Sequence, residues 1–204
     1  MLKKYLNKKN NLVGGYTIIE TMIALSIFLI VIIIGVGSLL NASLVNKKSQ
    51  DTRSIMDSLN FAMEDMSRNI RIGYDYQCLV EGGEYNDNSA LGTPTSCLSG
   101  FGVAFESSEG RSNDNTDQWL YYVSGGKLIK STSGIGGEIQ MTPDEVEITN
   151  PNYNFSVVGA ERFSGTMDKQ QPLVIIRLSG NITKRGVVTP FSLQTAVSQR
   201  LSDI

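Results

Sequence analysis

The chain has 204 residues, enough for one domain of ordinary size and a terminal element but not for two independent hydrophobic cores. Its 18 Lys and Arg residues nearly balance its 20 Asp and Glu residues, so no basic surface for nucleic acid is indicated. The sequence contains no His, no convincing setting for a nucleophile and no glycine motif that would cradle a phosphate. We therefore expect neither an enzyme nor direct binding of nucleic acid.

The N-terminal region combines a basic start with a long apolar run. Residues 1–15 include several lysines and no acidic residue, and in residues 23–40 the polar side chains are those of Ser26 and Ser38. An apolar stretch of about 18 residues is long enough to cross a membrane as a helix. Because positive charge marks the cytoplasmic end of such a helix, we expect a single span in the cytoplasmic membrane, with the C-terminal part outside the cytoplasm.

A cleaved secretory signal peptide is an alternative for this region. Its apolar core would be about 7 to 15 residues long, which is shorter than the run seen here. Asn41-Ala42-Ser43 could supply a small-residue cleavage pattern, but no clear pattern of this kind follows the run. The length therefore favours a retained membrane span.

The helical pattern continues beyond Leu40 but becomes amphipathic. Apolar residues recur at spacings typical of one helical face: Leu44, Ile55, Leu59, Met63, Met66 and Ile70. Charged residues occupy the opposite face: Lys47, Lys48, Asp51, Arg53, Asp57, Asp65 and Arg68. Basic residues in the last turn and Gly73 after it are typical of a helix end. The sequence predicts one helix over residues 17–72, with an apolar half in lipid and an amphipathic half packed on a globular domain.

Residues 14–20, which read GGYTIIE, resemble the processing motif of type IV pilins and type II secretion pseudopilins. The resemblance implies that a prepilin peptidase removes a leader by cutting between Gly15 and Tyr16, with Gly14 as part of the motif. It also implies that the new amine of Tyr16 is methylated. Phe is the residue most often found at this position in the family, so Tyr16 is a mild departure.

Glu20 is a carboxylate one turn inside the apolar segment, where a charge is costly unless it has a partner. The resemblance implies that Glu20 pairs with the N-terminal amine of a neighbouring subunit during assembly. A second interpretation is local, because Thr17 and Glu20 have the spacing of a capping box at a helix start. One side chain could fill both roles in turn.

Gly35 and Gly37 interrupt the apolar helix, and each costs about 1 kcal/mol relative to Ala in a helix interior. Many members of the family have a Pro at the position of Gly37, so one hypothesis is that these glycines soften the helix and let it unwind in a filament. Close packing of neighbouring helices through small residues is the other hypothesis.

Residues 73–100 are rich in Gly, Asn and Ser and contain both cysteines, Cys78 and Cys97. We expect a long loop closed by a disulfide, because a domain outside the cytoplasm lies in an oxidising compartment. A closed loop of about 20 residues would contribute roughly 3 kcal/mol in the chain-entropy model. Two free buried thiols are the alternative, and two Cys without any His do not form a zinc site.

The remainder of the chain has the alternation of β-strands. Strands are predicted at residues 102–106, 118–123, 127–132, 138–141, 145–149, 154–158, 173–179 and 191–199. In the last of these, Phe191, Leu193, Thr195 and Val197 should share one face. The predicted fold class is α+β, a long N-terminal helix packed on an antiparallel sheet, which is also the pilin fold that the resemblance implies.

Two further groups of side chains are candidates for binding. Asp114 and Asp117 lie in a loop dense in oxygen side chains, as Ca²⁺ would require, but the loop lacks the Gly and distal Glu of an EF-hand, so a solvated turn is favoured. No other cofactor is expected. Trp119 and Tyr121 should share one strand face and Tyr122 the other, which favours core packing over a ligand site.

Looser motifs at residues 61–71 and in the tail from residue 171 through residue 198 resemble J-type minor pseudopilins and W-type minor pilins. The expected organisation is a leader at 1–15, a transmembrane half-helix at 16–40, an amphipathic half-helix at 41–72 and a β-rich head at 73–204. The expected partners are other pilin or pseudopilin subunits, the prepilin peptidase, the inner-membrane assembly platform and lipid. The alternative is an uncleaved, single-span anchored binding or adhesin domain.

The resemblance leaves the machine open: a type IV pilus, a type II secretion pseudopilus or a DNA-uptake filament. The mature chain is expected to move from the membrane into a cell-surface or periplasmic filament. Within the family, the subunit at the tip often lacks the glutamate that Glu20 matches. Its presence here therefore implies a position below the tip.

Overall fold

The computed structural model describes residues 15–81, 93–111, 114–150, 153–161 and 170–200. The chain divides into two compact units, Met1–Ser49 and Gln50–Ile204. Helix α1 (Ile18–Ile72) contributes its first part to one unit and its last part to the other. Acidic Glu20 lies in its first turn and basic Arg71 in its last turn, and both charges interact favourably with the helix dipole. The helix predicted over residues 17–72 is confirmed to within one residue.

The described residues of the second unit form two antiparallel sheets. The strands are β1 (Tyr74–Leu79), β2 (Cys97–Gly100), β3 (Gly102–Glu106), β4 (Trp119–Ser124), β5 (Lys127–Ser131), β6 (Ile139–Gln140), β7 (Val146–Ile148), β8 (Phe155–Val158), β9 (Leu173–Lys184) and β10 (Val187–Ser198). The first sheet has the order β1-β3-β4-β5-β6. The second has the order β10-β9-β8-β2, with β7 also paired to β9. The α+β class is confirmed, but the helix packs on two sheets rather than on one.

The amphipathic part of α1 supplies one side of the hydrophobic core. Its buried residues are Ile55, Leu59, Ala62, Met63, Met66 and Ile70. They form one cluster with residues of both sheets, including Phe105 of β3 and Phe155 of β8. Leu44 was predicted on the same stripe but is exposed, so the buried face of the helix begins only at Ile55. That part of the prediction is wrong.

Gly73 ends α1 for a reason that the sequence pattern did not give. Its φ is not positive, so the left-handed cap that glycine usually provides is not used here. Instead, a Cβ at Gly73 would overlap the ring of Phe105 and lie 2.9 Å from the carbonyl oxygen of Glu106. The buried hydroxyl of Tyr76 donates to the carbonyl oxygen of Ile70 at 2.6 Å, and the Gly73 N–H donates to the same oxygen at 3.2 Å, so this carbonyl at the helix end is satisfied.

The prediction of one long loop over residues 73–100 is wrong. β1 pairs with β3, and β2 pairs with β8, so both cysteines lie on strands. The pattern of β1 is irregular, because its register shifts between Tyr74 and Gln77, and Asp75 between them has a φ of 53°. An alternation broken in this way is not visible as a strand in the sequence.

The last two strands form one long hairpin rather than two shorter strands. β9 and β10 pair from Leu173 opposite Ser198 to Lys184 opposite Val187. The turn consists of Arg185 and Gly186, with φ values of 50° and 75°, which is the conformation of a two-residue hairpin turn. Along β10, Phe191 and Val197 are buried and Leu193 and Thr195 are half-buried, which confirms the predicted face.

Candidate functional site

The residues of the predicted processing and assembly motif lie at the start of α1. Gly15 and Tyr16 precede the helix, and Tyr16 is 81% exposed. The Thr17 hydroxyl oxygen accepts a hydrogen bond of 3.3 Å from the backbone N–H of Glu20, which is one of the two bonds of a capping box. Gly14 and the rest of the leader lie outside the described residues.

The Glu20 side chain is exposed. Within the part of the chain that the structure describes, its carboxylate makes no hydrogen bond or ion pair. The cap at this helix end is formed by Thr17, so the Glu20 carboxylate is not needed to close it. A charge in this position is therefore available to a partner outside the chain.

The apolar run after Glu20 is exposed along its whole length in the single chain. The exposed fraction of its large side chains ranges from 42% at Ile32 to 72% at Leu39. In the described residues, α1 is the one helix long and apolar enough to cross a membrane, with a mean hydropathy of 2.9 over its most apolar window. An apolar surface of this size is covered either by lipid or by other helices.

Gly35 and Gly37 lie within continuous α-helix. A Cβ at either position would meet nothing within 4 Å, so no contact with the residues that the structure describes requires glycine there. Both hypotheses, softening of the helix and close packing of helices, concern contacts with other molecules. They stay predictions.

The predicted disulfide between Cys78 and Cys97 is confirmed, with the two Cα atoms 5.9 Å apart. Because β1 belongs to the first sheet and β2 to the second, the bridge joins the two sheets. Thr95, just before β2, reinforces the junction, because its carbonyl oxygen accepts from the Cys78 N–H at 2.9 Å and its N–H donates to the Tyr76 carbonyl at 3.1 Å.

Replacement of both cysteines by serine is expected to lower the free energy of unfolding by roughly 3 kcal/mol, because the unfolded chain regains the entropy of the open loop. Chemical denaturation of the detergent-solubilised protein measures this change. The unaltered protein under reducing conditions is the control and should match the double variant. Equal stability of the oxidised, reduced and variant proteins would contradict a stabilising role for the bridge.

Asp114 and Asp117 serve as hydrogen-bond acceptors within their own loop. Asp114 Oδ1 accepts from the backbone N–H and the hydroxyl of Thr116, at 3.1 Å and 2.5 Å. These bonds hold the pKa of the exposed Asp114 carboxyl below its ordinary value. Asp117 Oδ2 accepts from the Arg111 N–H at 3.1 Å. Among the described residues, no group of three or more His, Cys, Asp or Glu side chains is placed to hold a metal.

The aromatic residues of β4 take the two faces that the alternation predicts. Tyr121 is fully buried in the main core and Trp119 packs against it, whereas Tyr122 belongs to a smaller cluster on the other face of the sheet. Tyr121 stacks on Phe105 with a centroid distance of 6.0 Å. The predicted core packing is confirmed.

The structure contains a polar network between α1 and the first sheet that the sequence pattern does not predict. Asp65 Oδ2 accepts from Lys130 Nζ at 2.9 Å and from the Tyr121 hydroxyl at 2.8 Å, and Tyr121 in turn accepts from Asn69 at 2.8 Å. Burial acts to raise the pKa of Asp65, but the bonds and charge of its partners outweigh it and hold the pKa below its ordinary value. Only the positions on the helix could be predicted, because Lys130 lies 65 residues away.

The cavities lined by described residues of the second unit include two beside α1. The larger is an open groove of about 830 Å³ between α1 and the segment after β6, lined among others by Arg53, Asp57 and Phe61. The smaller, of about 300 Å³, lies beside the end of α1 and includes Trp119 and Glu109 in its lining. The groove is a surface that a partner could contact.

The fold described here, a long apolar N-terminal helix packed on antiparallel sheets with a disulfide, is compatible with a pilin-like architecture. Comparison of the chain with protein-family models, with curated proteins and with solved structures gave no match.

Proposed function

We propose that this chain is a minor pilin or pseudopilin, a structural subunit that is processed after Gly15 and assembled into a filament through its N-terminal helix. The N-terminal helix anchors the precursor in the membrane with its N-terminus in the cytoplasm, and the β-rich head lies outside the cytoplasm. The prepilin peptidase and the inner-membrane assembly platform act on it in turn. The filament belongs to a type IV pilus or to a type II secretion system.

The observation that carries the proposal is the exposed Glu20 carboxylate on the first turn of an exposed apolar helix. A helix that merely anchors a domain gains nothing from a charge at this depth, since a carboxylate is costly in lipid. A helix that must dock beside the amine of another subunit gains a charge-assisted hydrogen bond, which offsets that cost. Thr17 caps the helix without the Glu20 side chain, so local capping does not explain the charge.

The N-terminus of the protein extracted from the membrane tests this proposal. Expressed together with a prepilin peptidase, the chain should begin at methylated Tyr16, as read by N-terminal sequencing and mass spectrometry. Gly15→Leu is the matched variant: a Cβ at Gly15 meets nothing within 4 Å, so the head should fold normally, yet the peptidase should not accept the bulky residue. A wild-type protein that still begins at Met1 would overturn the proposal.

An uncleaved membrane-anchored binding domain is the second candidate. The groove of about 830 Å³ beside α1 favours it, because exposed Phe61 and half-buried Met141 and Pro143 give the groove an apolar surface. Such a domain would keep its first 15 residues and would stay in the membrane as a single subunit. The same sequencing experiment separates the two functions.

A further inference from the structure

Glu106, the last residue of β3, is fully buried although it carries an ionisable group. Its Oε1 atom accepts a hydrogen bond of 2.8 Å from the Gln118 amide. Its Oε2 atom is buried and has no hydrogen-bond partner. A buried carboxylate oxygen without a donor is unfavourable, so this atom requires a proton or a ligand.

Asp117, just before β4, also has a buried carboxylate oxygen without a hydrogen-bond donor. One oxygen, Oδ2, accepts from the backbone N–H of Arg111, while the other, Oδ1, is buried and also lacks a donor. The carboxyl groups of Glu106 and Asp117 are within hydrogen-bonding reach of each other. Two ionised carboxylates in this arrangement would repel each other, whereas one proton between them would satisfy both oxygens.

The surroundings of Glu106 favour its neutral form. Burial is the largest effect and raises the pKa of Glu106 to about 7, with Asp117 and Asp75 adding to the rise and the Gln118 hydrogen bond opposing it. The groups that face Glu106 are Asp117, Asp75 and Tyr74 from β1, and the neutral amide of Gln118. Both charged groups are acidic, so each of them disfavours a second negative charge.

We propose that Glu106 and Asp117 share one proton, with the Glu106 Oε2–H donating to Asp117 Oδ1, and that loss of this proton to solvent releases segments 107–111 and 114–117. Two observations support this arrangement: each carboxyl group has a buried oxygen without a donor, and the Glu106 side chain is fully buried. The device makes the surface of the head sensitive to the pH outside the cytoplasm. It does not depend on assembly into a filament.

The contacts of these segments explain why one proton controls them. The Asp117 carboxylate accepts from the Arg111 N–H and so joins segment 114–117 to segment 107–111. The Asp114 N–H, which donates to the Arg111 carbonyl at 2.8 Å, joins the same two segments. Gly110 lies against Glu106, since a Cβ there would be 2.7 Å from Oε2, and its carbonyl accepts from the Tyr74 hydroxyl at 2.9 Å. Repulsion between the two carboxylates therefore acts directly on both segments.

The direction of the effect follows from linkage. When the segments open, Glu106 meets water and its pKa falls to the ordinary range for glutamate, about 4.3. The equilibrium constant for opening therefore rises about tenfold for each pH unit between the open-state pKa and the closed-state pKa of Glu106. Above the closed-state pKa it no longer changes. The closed arrangement is strongest in acid and weakest above neutral pH.

Hydrogen exchange of the Gly110 and Arg111 amides tests the proposal. The detergent-solubilised full chain is compared at pH 5.0 and pH 7.5 in EDTA, with the intrinsic pH dependence of exchange divided out. Protection of both amides should fall by at least about tenfold at the higher pH. In Glu106→Gln the side-chain amide donates to Asp117 at every pH, so protection should stay constant.

Glu109→Gln is the matched control, because Glu109 is an exposed carboxyl in the same segment and its loss should leave the wild-type pH response intact. Equal wild-type protection at both pH values, or a Glu106→Gln variant that keeps the fall, would overturn the proposal. A bound cation is the competing explanation. It would replace the shared proton if added Ca²⁺ restored protection at pH 7.5 and if protection did not fall between the two pH values when EDTA was left out. If Glu106→Gln does not fold, the ¹³C titration of Glu106 in the unaltered chain decides: a midpoint near 7 supports the shared proton and one near 4 refutes it.

Discussion

Asp65→Ala is expected to lower the free energy of unfolding of the second unit by about 3 to 5 kcal/mol, because it leaves a largely buried ammonium group without its counter-charge. The Lys130 side chain is only 17% exposed, and Asp65 is its partner at 2.9 Å. The Tyr121 hydroxyl loses its acceptor at the same time. Denaturation followed by the fluorescence of Trp119, the one Trp of the chain, measures the change close to the altered contact.

Asp57→Ala is the matched control, since Asp57 is an exposed aspartate on the same helix and its loss should change stability by no more than about 0.5 kcal/mol. The double variant Asp65→Ala/Lys130→Met removes both charges and should recover a substantial part of the loss. A double variant as unstable as Asp65→Ala alone would show that the contact contributes through packing rather than through charge. Equal effects of Asp65→Ala and Asp57→Ala would refute the prediction.

The same contact should make stability depend on pH in the acid range. The folded pKa of Asp65 lies below its ordinary value, so its contribution is fully present above the ordinary range for aspartate, about 3.9, and is lost as the pH falls through the folded value. The difference in stability between the wild type and Asp65→Ala should therefore shrink below about pH 4.

Local patterns in the sequence were sufficient for the helix and for most strands. Residues 102–106 form a short apolar run, the face of β10 follows a regular alternation, and α1 follows a period of three to four, so each could be predicted without knowing what it packs against. The helix end was predicted from Arg71 and Gly73, although the physical reason is the close approach of Phe105 rather than a left-handed cap.

The errors concern features set by tertiary contacts. Arg185 occupies a left-handed position in the β9–β10 turn, which the sequence does not indicate because a non-glycine residue seldom takes that conformation. Its guanidinium also forms an ion pair of 3.4 Å with Asp51, a contact that the sequence does not indicate. The strand predicted over residues 191–199 begins earlier, and it includes Pro190, which is tolerated because β10 is an edge strand of its sheet among the described residues.

The candidate site shows the same division. The motif around Glu20 could be recognised because its residues are contiguous, whereas the partners of Asp65 and Glu106 lie on other strands. Asp65 was placed on the solvent face of α1, and nothing in the helix pattern distinguishes it from Asp57. Only the position of Lys130 on β5 shows that one aspartate is paired and the other is exposed.

Glu20→Ala is expected to leave membrane insertion and cleavage after Gly15 intact while lowering incorporation into filaments by at least about tenfold. Loss of a charge-assisted bond in or near lipid costs more than about 1.4 kcal/mol, and that energy corresponds to a factor of ten in the docking equilibrium. The cap from Thr17 survives, because its hydroxyl accepts from the backbone N–H of residue 20 rather than from the side chain. N-terminal sequencing reports processing, and the ratio of sheared filament to membrane-bound subunit on immunoblots reports assembly.

Glu20→Gln tests whether assembly needs the charge of this residue. Glutamine keeps a polar side chain of the same shape but removes the charge, so pairing with an amine predicts that Glu20→Gln assembles as poorly as Glu20→Ala, whereas a role that needs only a polar side chain predicts assembly like the wild type. Glu64→Ala, at an exposed carboxylate further along α1, is the control and should assemble normally. Because all three variants keep the apolar run unchanged, a defect confined to the two Glu20 variants would assign assembly to the charge itself. Normal incorporation of Glu20→Gln would refute the pairing.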